Sequence, residues 1–401
     1  MKKVLLLLAF VCIFPFQEFA QNLGWLQKAT FGGDARHRST AVSIGNRGYM
    51  GLGHVNSVVD VLYKDWWEYD PATNTWTQKA DYPPGKRFYA AGFSVDSYAY
   101  VGTGRDTTFN NTTDFWRYNI MDNSWNQISN FPGQPRRGAV AFEINGIGYV
   151  GTGTGYSNFF AYNTQTGIWS PIASLPASGR TASVAFSIGN YGYLGTGDVG
   201  GSPSADFWRY NPSTNTWTQM AFLPGLPRME ATGFELMGKG YIGTGCDFQS
   251  GNNYGDFWRY DPSSNSWAHV ADFGGSARRY MSSFTIGSRG YSGLGTSGAN
   301  YQDFWEYGSL SGENELTENE KNISVYPNPV ISFATIEIKD ASLIKKGTTF
   351  ELYDMQGKFI QKLEIKNQKT EFYKNDIPLG NYIYSIYNGA ELIGSGKLLI
   401  Q

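Results

Sequence analysis

The chain has 401 residues, of which 41% are hydrophobic and 16% are charged, a composition typical of a globular protein with more than one core. Its 32 basic and 34 acidic residues leave a formal net charge of -2, and no basic block stands out. This balance argues against a nucleic-acid-binding protein and against a polybasic membrane-binding surface.

The N-terminal stretch MKKVLLLLAFVCIFPFQEFAQ predicts a secretory signal peptide over residues 1–20. Two lysines precede an apolar run, and Ala20 is the expected last residue before cleavage. No later stretch reaches about 18 consecutive apolar residues, so we expect no transmembrane helix in the mature chain. Removal of Cys12 with the signal leaves Cys246 as a single thiol, which excludes an intramolecular disulfide.

A twelve-residue segment recurs along most of the chain. Its copies are DWWEYDPATNTW (65–76), DFWRYNIMDNSW (114–125), NFFAYNTQTGIW (158–169), DFWRYNPSTNTW (206–217), DFWRYDPSSNSW (256–267) and a shortened DFWEYGSL from Asp303. Successive copies start 49, 44, 48, 50 and 47 residues apart. This spacing is typical of propeller blades rather than of helical solenoids.

A second recurrent segment precedes each copy. In the first repeat it is AVSIGNRGYMGLG (41–53), and its relatives end in GTG or GLG. Short apolar and aromatic runs separated by Gly, Asn or Asp turns predict antiparallel hairpins. Each repeat therefore predicts four strands, named a, b, c and d in chain order.

The sixth repeat lacks strand d, whereas the N-terminus offers an unpaired one in GWLQKAT. Trp25 precedes Arg36 by 11 residues, the same offset that separates the strand d tryptophan from the next arginine in the other repeats. We therefore predict that strand d of the last blade comes from about residues 23–28 and closes the ring.

Residues 25–307 resemble the Kelch family, because a glycine-ended strand b is followed by tyrosine, Asp/Asn-Pro, asparagine and tryptophan at fixed offsets. The resemblance implies an all-β fold, a six-bladed Kelch β-propeller over residues 21–307. GTG or GLG stands where the family usually has a double glycine, so these repeats form a divergent branch.

A polar stretch, GSLSGENELTENEKN (308–322), predicts a linker. The alternating runs that follow predict a small, immunoglobulin-like β-sandwich over residues 323–401. YPNP (326–329), LYDMQGK (352–358), LGNYIY (379–384) and KLLIQ (397–401) resemble the C-terminal sorting domain (type A) of the type IX secretion system. The resemblance implies the secretion machinery as a partner, and release from or attachment to the outer-membrane surface of a Gram-negative bacterium. An ordinary immunoglobulin-like binding module is the alternative.

The connection between strands b and c is the one that varies in length, with 11, 9, 4, 8, 10 and 7 residues in the six repeats. In an antiparallel blade these loops surround one mouth of the central channel. Their Asn, Ser, Thr, Gly and Tyr residues are typical of binding surfaces, although solvated loops without a ligand are the alternative. We predict a glycan or protein ligand at this mouth, contacted by Arg105, Tyr156, Tyr254 and Tyr301 of the loops.

One arginine recurs before strand a of every repeat: Arg36, Arg87, Arg136, Arg180, Arg228 and Arg278. Guanidinium groups bind carboxylate or phosphate through two parallel hydrogen bonds, and the Kelch resemblance implies that this position lines a ligand pocket. The alternative is a structural pair with backbone carbonyls or with the aspartate of DFWRY. Two residues further on the repeat becomes irregular, which favours function over packing: Arg38, Tyr89, Gly138, Ala182, Glu230 and Tyr280.

Catalytic motifs are missing from the sequence: there is no nucleophile triad, phosphate-binding loop or His/Cys metal spacing, and we expect no metal or cofactor. Copper radical oxidases similar to galactose oxidase need two histidine ligands, which His37, His54 and His269 supply poorly. A Kelch-fold sialic-acid mutarotase or epimerase is a second enzymatic alternative, with Glu230 as general base. The sequence therefore favours a binding module over an enzyme.

Overall fold

The computed structural model describes residues 23–56, 60–310, 323–354, 359–389 and 391–401. They form two compact units that divide between Ser309 and Leu310. The predicted signal peptide (1–20) and residues 311–322 of the predicted linker lie outside the described residues.

The first unit is a β-propeller built from four-stranded antiparallel sheets, six of which lie among the described residues. Blade one contains the strands Thr40–Ile44, Arg47–Gly51, Trp66–Asp70 and Thr75–Lys79. Blade two contains Ala91–Val95, Tyr98–Gly102, Phe115–Asn119 and Ser124–Ile128. Blade three contains Val140–Ile144, Ile147–Gly151, Phe159–Asn163 and Ile168–Ile172. Blade four contains Val184–Ile188, Tyr191–Gly195, Phe207–Asn211 and Thr216–Gln219. Blade five contains Thr232–Leu236, Lys239–Gly243, Phe257–Asp261 and Ser266–Val270. Blade six contains Ser282–Ile286, Arg289–Gly293, Phe304–Ser309 and Leu23–Gln27.

Each a strand packs against the a strands of both neighbouring blades, so the six strands form a closed cycle. The N-terminal strand Leu23–Gln27 completes blade six by pairing with Phe304–Ser309, with Trp25 opposite Tyr307. Its indole packs against Phe257 and Phe273 at centroid distances of 4.9 and 5.1 Å. The last c strand extends to Ser309, two residues beyond the predicted end of the propeller.

Aromatic side chains fill the spaces between neighbouring blades. Tyr69 and Trp76 of blade one, for example, pack against Phe304 of blade six at 4.9 and 5.0 Å. The blades approach so closely that a Cβ atom at Gly48 would lie 2.1 Å from the ring of Phe284. A glycine in strand b thus makes room for a neighbour's aromatic ring.

Three b–c connections contain a small two-stranded sheet of their own. These are His54–Val55 with Val61–Leu62 in blade one, Asp198–Val199 with Ser202–Pro203 in blade four, and Cys246–Asp247 with Asn252–Asn253 in blade five. The pairing stiffens these longer loops at the mouth of the channel.

The second unit contains two antiparallel sheets around one apolar core. The three-stranded sheet contains Ile323–Tyr326, Phe333–Ile338 and Lys369–Tyr373, and the four-stranded sheet contains Phe359–Glu364, Thr348–Asp354, Gly380–Asn388 and Glu391–Ile400. Ile336, Phe350 and Phe372 are fully buried in this core. The one described helix is the short 3-10 turn Ala341–Leu343, and no described helix could span a bilayer.

Candidate functional site

Six residues, one from each blade, form a closed ring of backbone hydrogen bonds at the b–c mouth. Each N–H donates to the carbonyl oxygen of the equivalent residue in the preceding blade, over 2.8 to 3.4 Å. All six have a φ between 55° and 62°, a left-handed conformation that costs a non-glycine residue about 1 to 2 kcal/mol and that the ring hydrogen bonds offset. The ring consists of the irregular positions of the repeat: Arg38, Tyr89, Gly138, Ala182, Glu230 and Tyr280.

The prediction that the repeated arginines line a ligand pocket is wrong, and the alternative of a structural pair with the aspartate applies in five blades. These arginines are only 0 to 3% exposed, and in five blades the guanidinium group is held inside the blade by the aspartate that precedes strand c. In blade five, for example, Arg228 donates to both oxygens of Asp256 over 2.8 and 2.7 Å. The pairs are Arg36–Asp65, Arg87–Asp114, Arg180–Asp206, Arg228–Asp256 and Arg278–Asp303, whereas Arg136 of blade three has no acidic partner in the described part of the chain.

The predicted loop tyrosines cover these buried arginines instead of lining the cavity. Tyr156, Tyr254 and Tyr301 lie over the guanidinium groups of Arg136, Arg228 and Arg278 at 4.7, 4.9 and 3.6 Å. Such stacking stabilises a buried cation. The repeated arginines and loop tyrosines therefore belong to the blade structure.

A cavity of about 350 Å³ lies at the b–c mouth. Five of the predicted ligand contacts line it: Arg38, Tyr89, Arg105, Glu230 and Tyr280. Sequence reasoning missed His54, Phe109, Arg137, Asp198 and Phe248, which also line it. A signal for Arg137 existed, since the residue directly after each repeated arginine also varies between the repeats.

Arg38 lies between two aromatic rings at the centre of the site. Its guanidinium carbon is 4.0 Å from the ring centroid of Tyr280 and 4.6 Å from that of Tyr89. One nitrogen donates to the Tyr280 hydroxyl over 2.5 Å and another lies 3.0 Å from His54 Nε2. Burial lowers the pKa of His54 to about 2, so the ring is neutral and Nε2 accepts this hydrogen bond.

Arg105 and Arg137 bring two more positive charges to the cavity. The Arg105 Nε donates to the Phe109 carbonyl over 2.6 Å, and its guanidinium carbon lies 5.5 Å from the Phe109 ring centroid. Burial and the nearby charges of Arg137 and Arg38 lower the pKa of Arg105. Among the described residues, none of these three arginines has a carboxylate within ion-pair distance.

Glu230 is the buried acid of the site. Its Oε2 lies 3.2 Å from Arg279 Nε and 3.5 Å from the Cys246 sulfur. Burial raises the pKa of Glu230 to about 8, although the charges of Arg38 and Arg279 act in the opposite direction. The carboxyl is therefore mostly protonated at neutral pH. The three arginines of the cavity then face the two carboxylates of Asp60 and Asp198, which leaves one excess positive charge in the lining.

Two stretches of the chain match known protein families. Residues 193–221, which run from strand b to strand d of blade four, match the Kelch motif, and residues 324–401 match the secretion system C-terminal sorting domain. The chain is a Kelch propeller with a type IX sorting domain. The solved structure titled "Structure of YjhT" is similar to it, with a TM-score of 0.58 and 16% identity over 69% of this chain and 95% of that chain. No curated protein sequence matches the chain.

Histidines do not form a metal centre in the described part of this Kelch propeller. His37 and His54 lie together, with ring centroids 4.4 Å apart, whereas His269 pairs with Asp272 at the outer strand of blade five. No group of three or more His, Cys, Asp or Glu side chains that could hold a metal ion occurs among the described residues.

The lengths of the b–c loops indicate that the mouth of the Kelch propeller is a trough, lower at two opposite blades than at the other four. Its shortest b–c loops, of four and seven residues, belong to blades three and six, which lie opposite each other in the ring. The longer loops of blades one, two, four and five form its two sides. Phe109 on one side is 42% exposed and Phe248 on the other is 50% exposed, and both line the cavity.

Proposed function

We propose that this protein is an exported binding module that holds a carboxylate-bearing polysaccharide in the trough. The sorting domain indicates secretion or display at the cell surface. The predicted signal peptide and the sorting domain serve export, and the type IX machinery delivers the propeller to the surface of a Gram-negative cell. Neither segment takes part in ligand binding. The observation that carries the proposal is the set of three cavity arginines, Arg38, Arg105 and Arg137, without an acidic partner among the described residues.

Charge favours an acidic ligand. Three guanidinium groups share one cavity with the carboxylates of Asp60 and Asp198 and with the Glu230 carboxyl, which is mostly protonated at neutral pH, so positive charge is in excess by one. Cations that are partly removed from water gain most from a ligand carboxylate, which each guanidinium can bind through two hydrogen bonds. A neutral sugar chain would leave the excess positive charge uncompensated, and it would supply no carboxylate to any of the three guanidinium groups.

Shape and apolar surface favour a sugar chain. A trough that is low at two opposite blades fits an internal segment of a linear polymer, which enters on one side and leaves on the other. The exposed rings of Phe109 and Phe248 offer flat apolar surfaces on the two sides, suited to the apolar faces of sugar rings. A pattern of alternating carboxylates and apolar ring faces is typical of polyuronates.

Calorimetric titration with polygalacturonate, and with dextran as the neutral polymer, tests this proposal. We expect binding of the acidic polymer alone and a loss of roughly tenfold or more in affinity for Arg137→Ala. Arg47→Ala is the matched control, because Arg47 pairs with Asp70 away from the cavity. Equal binding of both polymers, or unchanged affinity in Arg137→Ala, would contradict the proposal.

Glu230 supports an enzyme as the second candidate function, a mutarotase or epimerase acting on an acidic sugar such as sialic acid. A carboxyl with a pKa of about 8 can donate and accept a proton near neutral pH, and the adjacent Arg38 could hold the substrate carboxylate. Anomer exchange followed by NMR would test it: catalysis that disappears in Glu230→Gln supports the enzyme, and a rate equal to the uncatalysed one excludes it.

A further inference from the structure

Blade three departs from the other five at the buried end of strand c. In those five blades the aspartate accepts hydrogen bonds from the repeated arginine and also from the indole nitrogen of the tryptophan two residues later, over 2.6 to 3.1 Å. One carboxylate thus neutralises a buried cation and accepts the N–H of a half-buried indole. These tryptophans are Trp67, Trp116, Trp208, Trp258 and Trp305.

Both partners are replaced in blade three. Asn158 stands in the place of the aspartate and Phe160 in the place of the tryptophan. Arg136 nevertheless remains fully buried. It donates from Nε to the Gln134 carbonyl over 3.1 Å and from Nη1 to the Thr152 carbonyl over 2.8 Å. Its Nη2 and the Asn158 Oδ1 are buried without a hydrogen-bond partner among the described residues.

A buried guanidinium without a counter-charge is costly. Burial lowers the pKa of Arg136 to about 10, so the group still carries its charge at neutral pH. The rings of Phe131 and Tyr156, at 4.6 and 4.7 Å, compensate a part of this charge. An unsatisfied buried polar group of this kind indicates a bound ion or water beside Arg136 Nη2.

The two replacements also define what fits there. Asn158 in place of the aspartate removes a negative charge next to Arg136. Phe160 in place of the tryptophan removes the indole N–H donor, and its side chain is smaller by one ring. The Asn158 amide can turn its N–H group toward an anion, which an aspartate cannot do. The position therefore suits a small anion that needs two or three N–H donors.

We propose that blade three binds a halide, chloride under physiological conditions, between Arg136 Nη2 and the Asn158 amide. The ion takes the place of the aspartate carboxylate of the other blades. This site is separate from the trough, and the proposed halide binding does not depend on which ligand the trough holds.

Thermal unfolding in sodium chloride and in sodium gluconate at equal ionic strength tests the site. Gluconate is too large to enter, so we expect the full chain to melt about 2 to 4 °C higher in chloride. Asn158→Asp supplies a carboxylate in place of the ion, and its Tm should be the same in both salts. A chloride effect of equal size in Asn158→Asp would overturn the proposal.

Crystals of the wild-type protein grown in bromide provide a test that needs no variant. An anomalous peak beside Arg136 supports the halide, whereas density of a water molecule with no anomalous signal there overturns it. In blade four, the double variant Asp206→Asn with Trp208→Phe recreates the blade three arrangement. It should acquire a second bromide peak next to Arg180.

Discussion

At the scale of single residues, Arg228 shows how a repeated side chain supports its blade. It is fully buried and donates to the carbonyls of Leu226 and Thr244 as well as to Asp256. Arg228→Ala would leave the Asp256 carboxylate without its counter-charge. We expect a loss of about 3 kcal/mol in the free energy of unfolding, the lower end of the range for a buried pair because Asp256 is partly exposed. Calorimetry would show this as a Tm lower by roughly 10 °C.

The control for this variant is Arg47→Ala, since the pair of Arg47 with Asp70 is partly exposed and contributes at most about 1 kcal/mol. An Arg228→Ala protein that melts like wild type and loses ligand binding would contradict the structural role and return this arginine to the binding site.

At the same scale, the titration of Glu230 makes the stability of the protein depend on pH. Its pKa rises from 4.5 in the unfolded chain to about 8 in the folded one, so the folded state holds one proton more within that interval. The contribution of Glu230 to stability therefore falls as the pH rises through the interval, and it is lowest above pH 8. In Glu230→Gln this fall should disappear from melting curves recorded as a function of pH.

Ligand affinity should follow the same titration. Above about pH 8 the Glu230 carboxylate partly neutralises Arg38 and Arg279, so polygalacturonate should bind roughly tenfold more weakly than at neutral pH. Glu230→Gln should bind equally well on both sides of that pH. A pH dependence of equal size in the variant would assign the effect to another group.

At the scale of elements, the closing strand Leu23–Gln27 tests whether closure of the ring stabilises the propeller. Trp25 packs between blades five and six and donates to the Ala271 carbonyl over 3.3 Å. Trp25→Ala should lower the free energy of unfolding by about 3 kcal/mol, and deletion of residues 22–28 should have a larger effect. Leu26→Ala on the exposed side of the same strand is the control. If both substitutions melt like wild type, closure by this strand does not stabilise the ring.

The sequence is sufficient to predict the strands, but it does not predict the directions in which the side chains point. The constant offset between Trp25 and Arg36 predicts a closing strand because the repeat fixes both positions. Nothing in the repeat reveals that Arg38, Tyr89 and Glu230 adopt a left-handed backbone, which lies beyond the usual range of these residue types. That conformation turns the ring residues toward the mouth, and the neighbouring repeated arginines point into the blade toward their aspartates.

At the scale of the whole molecule, the two units have separate cores. Every residue of the sorting-domain core lies between Ile323 and Ile400, and the propeller cores contain no residue from that range. Each unit therefore has the apolar interior needed to fold on its own. This separation allows export and binding to be tested independently.

A chain that ends at Leu310 should keep the melting temperature and the polygalacturonate affinity of the full-length propeller, because it loses no residue of the propeller cores. In a host with type IX secretion it should remain inside the cell envelope, whereas the full chain reaches the surface or the medium. Fractionation and immunoblotting measure this difference. Residues 311–401 fused to a periplasmic fluorescent protein should restore export. A truncated chain that still leaves the cell would show that the export signal lies in the propeller.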